Sequence, residues 1–193
     1  MSDTRIGLFG GSFDPVHLGH VLVAQAAREE LELTRLFFIP AARSPFKSES
    51  AAAPPRDRLR LLRLALAGQA WCEIDEQEIS RGGVSYTIDT VRDYARRFPE
   101  ADLFYLIGAD HAAKLGQWRD AEELARTVEF VVIPRPGQAD VAVANPFRAR
   151  RLAGFPLDVS SSQIRSRVKA GLPVEHLVPA GVAEAIRNNR LYL

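Results

Sequence analysis

Ile6-Gly7-Leu8-Phe9-Gly10-Gly11-Ser12-Phe13-Asp14-Pro15-Val16-His17-Leu18-Gly19-His20 is the stretch on which the fold turns. Ile6 to Phe9 is a short apolar run, as expected of a buried first strand in a parallel sheet, and it leads into two glycines suited to a tight exit. Asp14-Pro15 marks a turn, because Pro fixes its own φ and steers Asp14 away from helical geometry. From Leu18 to Leu31 the apolar and small residues recur at helical spacing. Strand, Gly-rich loop and helix start together make an anion site, since outward main-chain N–H groups and the helix dipole favour negative charge. His17 and His20, three residues apart, fall on one face of the helix start, and Gly19 between them lets a bulky ligand approach the main chain. Gly7, Gly10 and Gly11 do not spell G-x-G-x-x-G, and no Lys-Ser or Lys-Thr closes a Walker loop, so neither of those phosphate motifs is present.

With 193 residues, 47% of them hydrophobic, the chain is long enough to bury one substantial core. It reads as a single domain over residues 1–193, with a small helical portion from about residue 160. A net charge of +1 argues against a general nucleic-acid or membrane-surface binder while leaving room for a local basic cleft. The lone cysteine, Cys72, excludes an internal disulfide, fits a reducing compartment and reads as a small buried strand residue. The first residues lack the charged and apolar regions of a signal peptide, and no run is long enough to span a bilayer. A cytoplasmic protein is therefore expected.

Further apolar runs follow in alternation with helical patterns. Arg35 to Ile39 is a second strand stopped by Pro40, Leu103 to Ile107 a central one, and Val128 to Ile133 another closed by Pro134. The expected architecture is α/β, a Rossmann-like, doubly wound and mostly parallel sheet flanked by helices, with ligands beyond the C-terminal ends of its strands. Pro54-Pro55 opens a helix with Leu59, Leu62 and Leu66 on one face; Arg56, Arg58, Arg60 and Arg63 read mostly as its wet side. Trp71 to Ile79 alternates weakly and is taken as a strand. Gly82-Gly83 turns the chain into a helix for which Thr87 is a good N-cap. Asp120 to Thr127 and Pro179 to Asn189 are further helices, residues 136–151 read as loop, and Arg148, Arg150 and Arg151 as solvated. A short strand at Leu157-Asp158-Val159 gives way to Ser160-Ser161-Ser162 and a helix stopped by Gly171.

Several side chains fall on the ligand edge of this sheet. Lys47 lies in the polar loop after the second strand, and Arg135 follows the strand that Pro134 closes. Asp110, after Gly108, is placed either to accept ribose hydroxyls or to cap a short helix, and Gly108 gives a nucleotide room. Ser162 either caps its helix or joins Ser161 and Arg165 in a second anion site. Two phosphate sites from opposite ends of the chain point to a triphosphate.

Gly10 to Pro15 followed by His17-Leu18-Gly19-His20 resembles the H-x-G-H nucleotidyltransferase superfamily, and the wording is similar to the bacterial nicotinate-nucleotide adenylyltransferases. Ser44-Pro45-Phe46-Lys47 resembles the family's S-P-x-K segment, and Val159 to Arg165 its I-S-S-T-x-I-R motif with Val and Ser replacing Ile and Thr. The resemblance implies that ATP and nicotinate mononucleotide yield nicotinate adenine dinucleotide and pyrophosphate, late in NAD biosynthesis. It implies catalytic roles for His17, His20, Lys47 and Arg165. ATP would meet Gly10, Gly11, Ser12, Phe13 and Gly19, then Gly108, Asp110, Ser161 and Ser162. The mononucleotide would meet Ser12, Lys47, Tyr86, Thr87, Trp118 and Arg135. Trp118 is by default a core residue, but the resemblance places it where a pyridine ring stacks; Arg119 stands where the family often carries a second aromatic. Mg2+ is expected to arrive with ATP, because no carboxylate cluster offers a protein cage. Transfer to nicotinamide mononucleotide or phosphopantetheine, or nucleotide sensing without catalysis, are the alternatives; a homo-oligomer is left open.

Overall fold

The computed structural model describes residues 4–45, 53–134, 143–155 and 157–193. Lys47 and Arg135 lie outside the described residues. Six strands, β1 (Arg5–Gly11), β2 (Arg35–Pro40), β3 (Cys72–Ile74), β4 (Asp102–Gly108), β5 (Glu129–Ile133) and β6 (Ala149–Arg151), form one sheet in the order β3-β2-β1-β4-β5-β6. All five pairings are parallel. The order runs outward in both directions from β1 and β4, so the chain reverses its winding between these two strands and opens a crevice at their C-terminal ends.

Among the described residues eight α-helices accompany the sheet, six between strands and two after the last: α1 (Leu18–Leu31), α2 (Pro55–Ala65), α3 (Gln77–Arg81), α4 (Thr87–Arg97), α5 (Ala109–Ala112), α6 (Ala121–Thr127), α7 (Ser161–Lys169) and α8 (Ala180–Asn188). Side chains that alternate along each strand feed two separate apolar layers. On one face Phe9, Phe38, Phe104 and Val131 pack with Ala27 of α1, Leu61 and Leu62 of α2 and Ile186 of α8. On the other, Leu8, Phe37, Tyr105 and Phe130 pack with Ile88 and Val91 of α4 and Leu124 of α6. Burial on both faces explains why the central strands read as unbroken apolar runs.

Four local expectations are corrected. Trp71 to Ile79 is not one strand: only Cys72–Ile74 pairs with β2, and the chain then turns into α3. Residues 149–151 are not loop but the outer strand β6; its three residues are all exposed, so no apolar signature marks it. No strand forms at Leu157 to Val159. Arg58 does not belong to the wet side of α2 but is 1% exposed, on the same face as Leu61 and Leu62. Cys72 does lie in a strand, half-buried, and burial pushes its thiol up to about 12.

Candidate active site

β1 leaves the sheet through Gly10 and Gly11, and neither position has room for a side chain. A Cβ on Gly10 would stand 2.4 Å from the Tyr105 hydroxyl, and one on Gly11 3.0 Å from the Phe13 ring. Phe13 then takes a φ of 45° and turns its ring into the core, in edge contact with Phe9 and His20. With that ring 1% exposed, what Phe13 can offer a ligand is main chain.

The two histidines start α1 in different roles. His17 is its N-cap, and the His17 N–H donates to Nδ1 of His20 at 3.2 Å. That bond makes Nδ1 of His20 the acceptor and leaves its Nε2 as the donor. The rings lie 3.7 Å apart, centroid to centroid. His17 is 7% exposed, its Nδ1 has no hydrogen-bond partner among the described residues, and burial lowers its pKa from 6.5 to about 4. Gly19 is small for a reason internal to the protein: its Cβ would lie 3.0 Å from both His17 Nδ1 and Val159 Cγ1. The start of α1 is also less open than the sequence suggests, because the Leu18 N–H donates to the Leu177 carbonyl at 3.0 Å.

From the other end of the chain, α7 is joined to the same loop. Ser160 is its N-cap, with a reciprocal pair of bonds to Gln163, so Ser162 is not the cap. The Ser161 hydroxyl donates to the Pro15 carbonyl at 2.8 Å, and Arg165 Nη1 donates to the Asp14 carbonyl at 2.7 Å.

These segments enclose a cavity of about 630 Å³ at the C-terminal ends of β1 and β4. It is lined by Gly10, Gly11, Ser12, Phe13, His17, Gly19 and His20 from the first loop and α1, and by Ser161 and Ser162 from α7. Gly108, Thr87 and Trp118 line it too. Three expected residues do not. Tyr86 is the N-cap of α4 and lies under the Arg119 guanidinium, 4.9 Å from its ring centre; Asp110 is exposed within α5; and Arg165 spends Nη1 on the Asp14 carbonyl. Thr87 is the first residue of α4 rather than its cap, and its hydroxyl donates to the Tyr105 hydroxyl at 3.4 Å. Asp110 is not a cap either, since Gly108 precedes α5. Trp118 packs edge-on against Tyr105 and Phe130 and also borders the cavity, so its core and site roles coexist.

Sequence reasoning missed Tyr105, His111, Glu78 and Ser85 in the lining. Glu78 is 4% exposed and accepts from Thr90 Oγ1 at 2.6 Å; burial holds its carboxyl above the usual carboxylate range. Its signal was hidden by reading α3 as strand. Ser85 Oγ accepts from the Ala42 N–H at 3.0 Å, which ties the exit of β2 to the segment before α4. Among the described residues no group of three or more His, Cys, Asp or Glu is placed to hold a metal ion, and no helix is long and apolar enough to cross a membrane.

The family model described as cytidylyltransferase-like matches residues 8–167, from β1 through the first turns of α7. The chain belongs to that family. A relative from Opitutus terrae, named "Probable nicotinate-nucleotide adenylyltransferase", is 40% identical over 97% of this chain and 97% of its own. One from Exiguobacterium sibiricum with the same name is 40% identical over 97% and 98%. Among solved structures, one from Plasmodium falciparum, described as nicotinic acid mononucleotide adenylyltransferase complexed with NaAD, superposes with a TM-score of 0.78 at 16% identity, covering 98% of this chain and 97% of that one. At that identity it supports the Rossmann-like fold of the family and nothing finer.

Proposed function

We propose that this chain transfers the adenylyl group of ATP to nicotinate mononucleotide, giving nicotinate adenine dinucleotide and pyrophosphate, on a single nucleotidyltransferase domain of the cytoplasm. The observation that carries the reading is the convergence of the His17–His20 helix start and the Ser160–Arg165 helix start on one cavity at the winding reversal of the sheet. Its volume, about 630 Å³, is in the range of small-molecule sites.

The chemistry asks for positioning and charge neutralisation. A phosphomonoester has its second pKa near ~6, so at neutral pH the attacking oxygen of the mononucleotide needs no general base. That oxygen bonds to the α-phosphorus of ATP as the bond to the β-bridging oxygen breaks, and pyrophosphate carries the electron pair away. The obstacle is a dianion approaching a polyanion in line, and fixed donors that meet the transition-state charge supply most of the rate. His20 Nε2 is a donor already oriented by the bond at Nδ1. His17, neutral in the free protein, supports the His20 ring from 3.7 Å. Ser161 and Ser162 meet the departing phosphates, Arg165 holds the Asp14 carbonyl of the loop beside them, and Lys47 meets the attacking phosphate. Mg2+ enters as part of the MgATP substrate, bound through the phosphate oxygens. Thr87 and Trp118 border the pyridine end.

Incubating the purified chain with MgATP and either nicotinate or nicotinamide mononucleotide, and following pyrophosphate, tests this. Faster release with the nicotinate substrate is expected. Release with neither refutes the enzyme reading; faster release with nicotinamide mononucleotide refutes the substrate.

A further inference from the structure

The loop from Ser12 to Pro15 is pinned from behind by two side chains outside the cavity lining. Arg58 of α2, 1% exposed, donates from Nη1 to the Ser12 carbonyl at 2.8 Å and to the Ala41 carbonyl at 2.9 Å. Tyr192 donates its hydroxyl to Asp14 Oδ1 at 2.9 Å, and the Ala53 N–H donates to the same oxygen at 3.1 Å. Asp14 is itself 4% exposed, and its carbonyl accepts Arg165 Nη1.

Between these pins sits Phe13, a non-glycine residue at φ 45°. Such a conformation persists only where the surroundings over-determine it. The pin on the Ser12 carbonyl and the pin on the Asp14 side chain flank it on either side. Apolar packing alone would not call for this arrangement: a buried guanidinium costs desolvation, and Nε of Arg58 has no hydrogen-bond partner among the described residues. What the polar groups add over a leucine or methionine is direction, since each fixes one peptide plane or one carboxylate oxygen.

We propose that Tyr192 is a positioning residue for adenylyl transfer, acting through Asp14 to hold the Ser12–Pro15 loop so that His17 and His20 at its exit and Arg165 at its flank stand in register. The inference rests on the reading of the cavity given above. Removing the hydroxyl keeps the Ala53 N–H on Asp14 Oδ1 and takes away the tie to the residues after α8. The loop then settles differently, and the histidines that follow move with it.

The test compares full-length wild type with Tyr192→Phe, measuring kcat, the KM for each substrate and the melting temperature. Wild type must form dinucleotide from ATP and nicotinate mononucleotide; failure there refutes the proposed function, and the role of Tyr192 falls with it. With an active wild type, kcat of the variant is expected to fall by about threefold to thirtyfold, since displacements well under 1 Å already lower rates measurably. The KM for nicotinate mononucleotide should stay within about twofold, and the melting temperature within about 8 °C, because one hydrogen bond is lost. A fall in kcat of less than about threefold overturns the proposal, whatever happens to KM. A larger loss of melting temperature also overturns it, because the hydroxyl would then be holding the fold rather than aiming the loop.

Discussion

His17 couples the site to pH through stability as well as through chemistry. Its folded pKa of about 4 lies below the ordinary 6.5 because the ring is buried. Between those values the unfolded chain binds a proton that the folded chain refuses, so the contribution of His17 is complete above about pH 6.5 and is lost as pH falls toward 4. Going from pH 7.5 to 4.5, wild type should lose roughly 2 to 3 kcal/mol through this residue. His17→Asn should lose that much less over the same interval in urea titrations; parallel pH curves for the two proteins would show that the ring is not buried neutral. At this scale the sequence was partly legible. His17 and His20 declared themselves by spacing, but not which ring would be buried and which would keep an outward N–H, because that is decided by the bond from the His17 N–H to His20 Nδ1. Arg58 was misread for a similar reason: composition alone makes a helix arginine wet, and only its carbonyl partners 46 and 17 residues away make burial tolerable.

Gly19 shows how one position couples two elements. It belongs to α1, yet the space it leaves open is filled by the His17 ring and by Val159, which precedes α7. Neither neighbour yields easily, since the ring is packed against His20 and valine is stiff at χ1. Gly19→Ala should therefore part α7 from the helix start and lower kcat by about tenfold to a hundredfold, with a stability cost of about 1 to 3 kcal/mol. Steady-state rates and thermal melts check it, and a variant with wild-type kcat would show that the contact is slack. Among the elements, β1, β2, β4 and β5 were legible because two-sided burial demands apolar runs. The remaining two were read less well: β3 was placed but drawn too long, its three residues being half-buried, and β6 was read as loop because Ala149, Arg150 and Arg151 are all exposed, with Arg150 paired to Glu129 and stacked on Phe104. A strand that lies at the rim of a sheet and is held by main-chain pairing leaves no mark in hydropathy. The capping box of α7 was legible as a serine run, but which serine capped was not.

For the molecule as a whole, the arrangement follows from strand order. The winding reversal lies between β1 and β4, so the first loop and the segment after β4 face one another, while the chain beyond β6 returns across them. The sequence made the convergence of its two serine- and histidine-bearing segments an expectation; Ser161 on Pro15 and Arg165 on Asp14 are how the fold meets it. What no local pattern announced was the tie of Tyr192 to Asp14 across 178 positions, since hydrogen bonds between distant segments have no periodicity.

The sheet also keeps its two apolar layers apart, with Ile186 in one and Ile88 in the other. Shortening either to valine should cost about 0.5 to 1.5 kcal/mol, and the double variant should cost the sum to within about 0.5 kcal/mol, as denaturant melts would reveal. A larger discrepancy would mean that strain crosses the strands. If the costs add, the sheet works as a bulkhead: a flaw admitted on one side floods only that compartment, and its repair must be sought among neighbours on the same side.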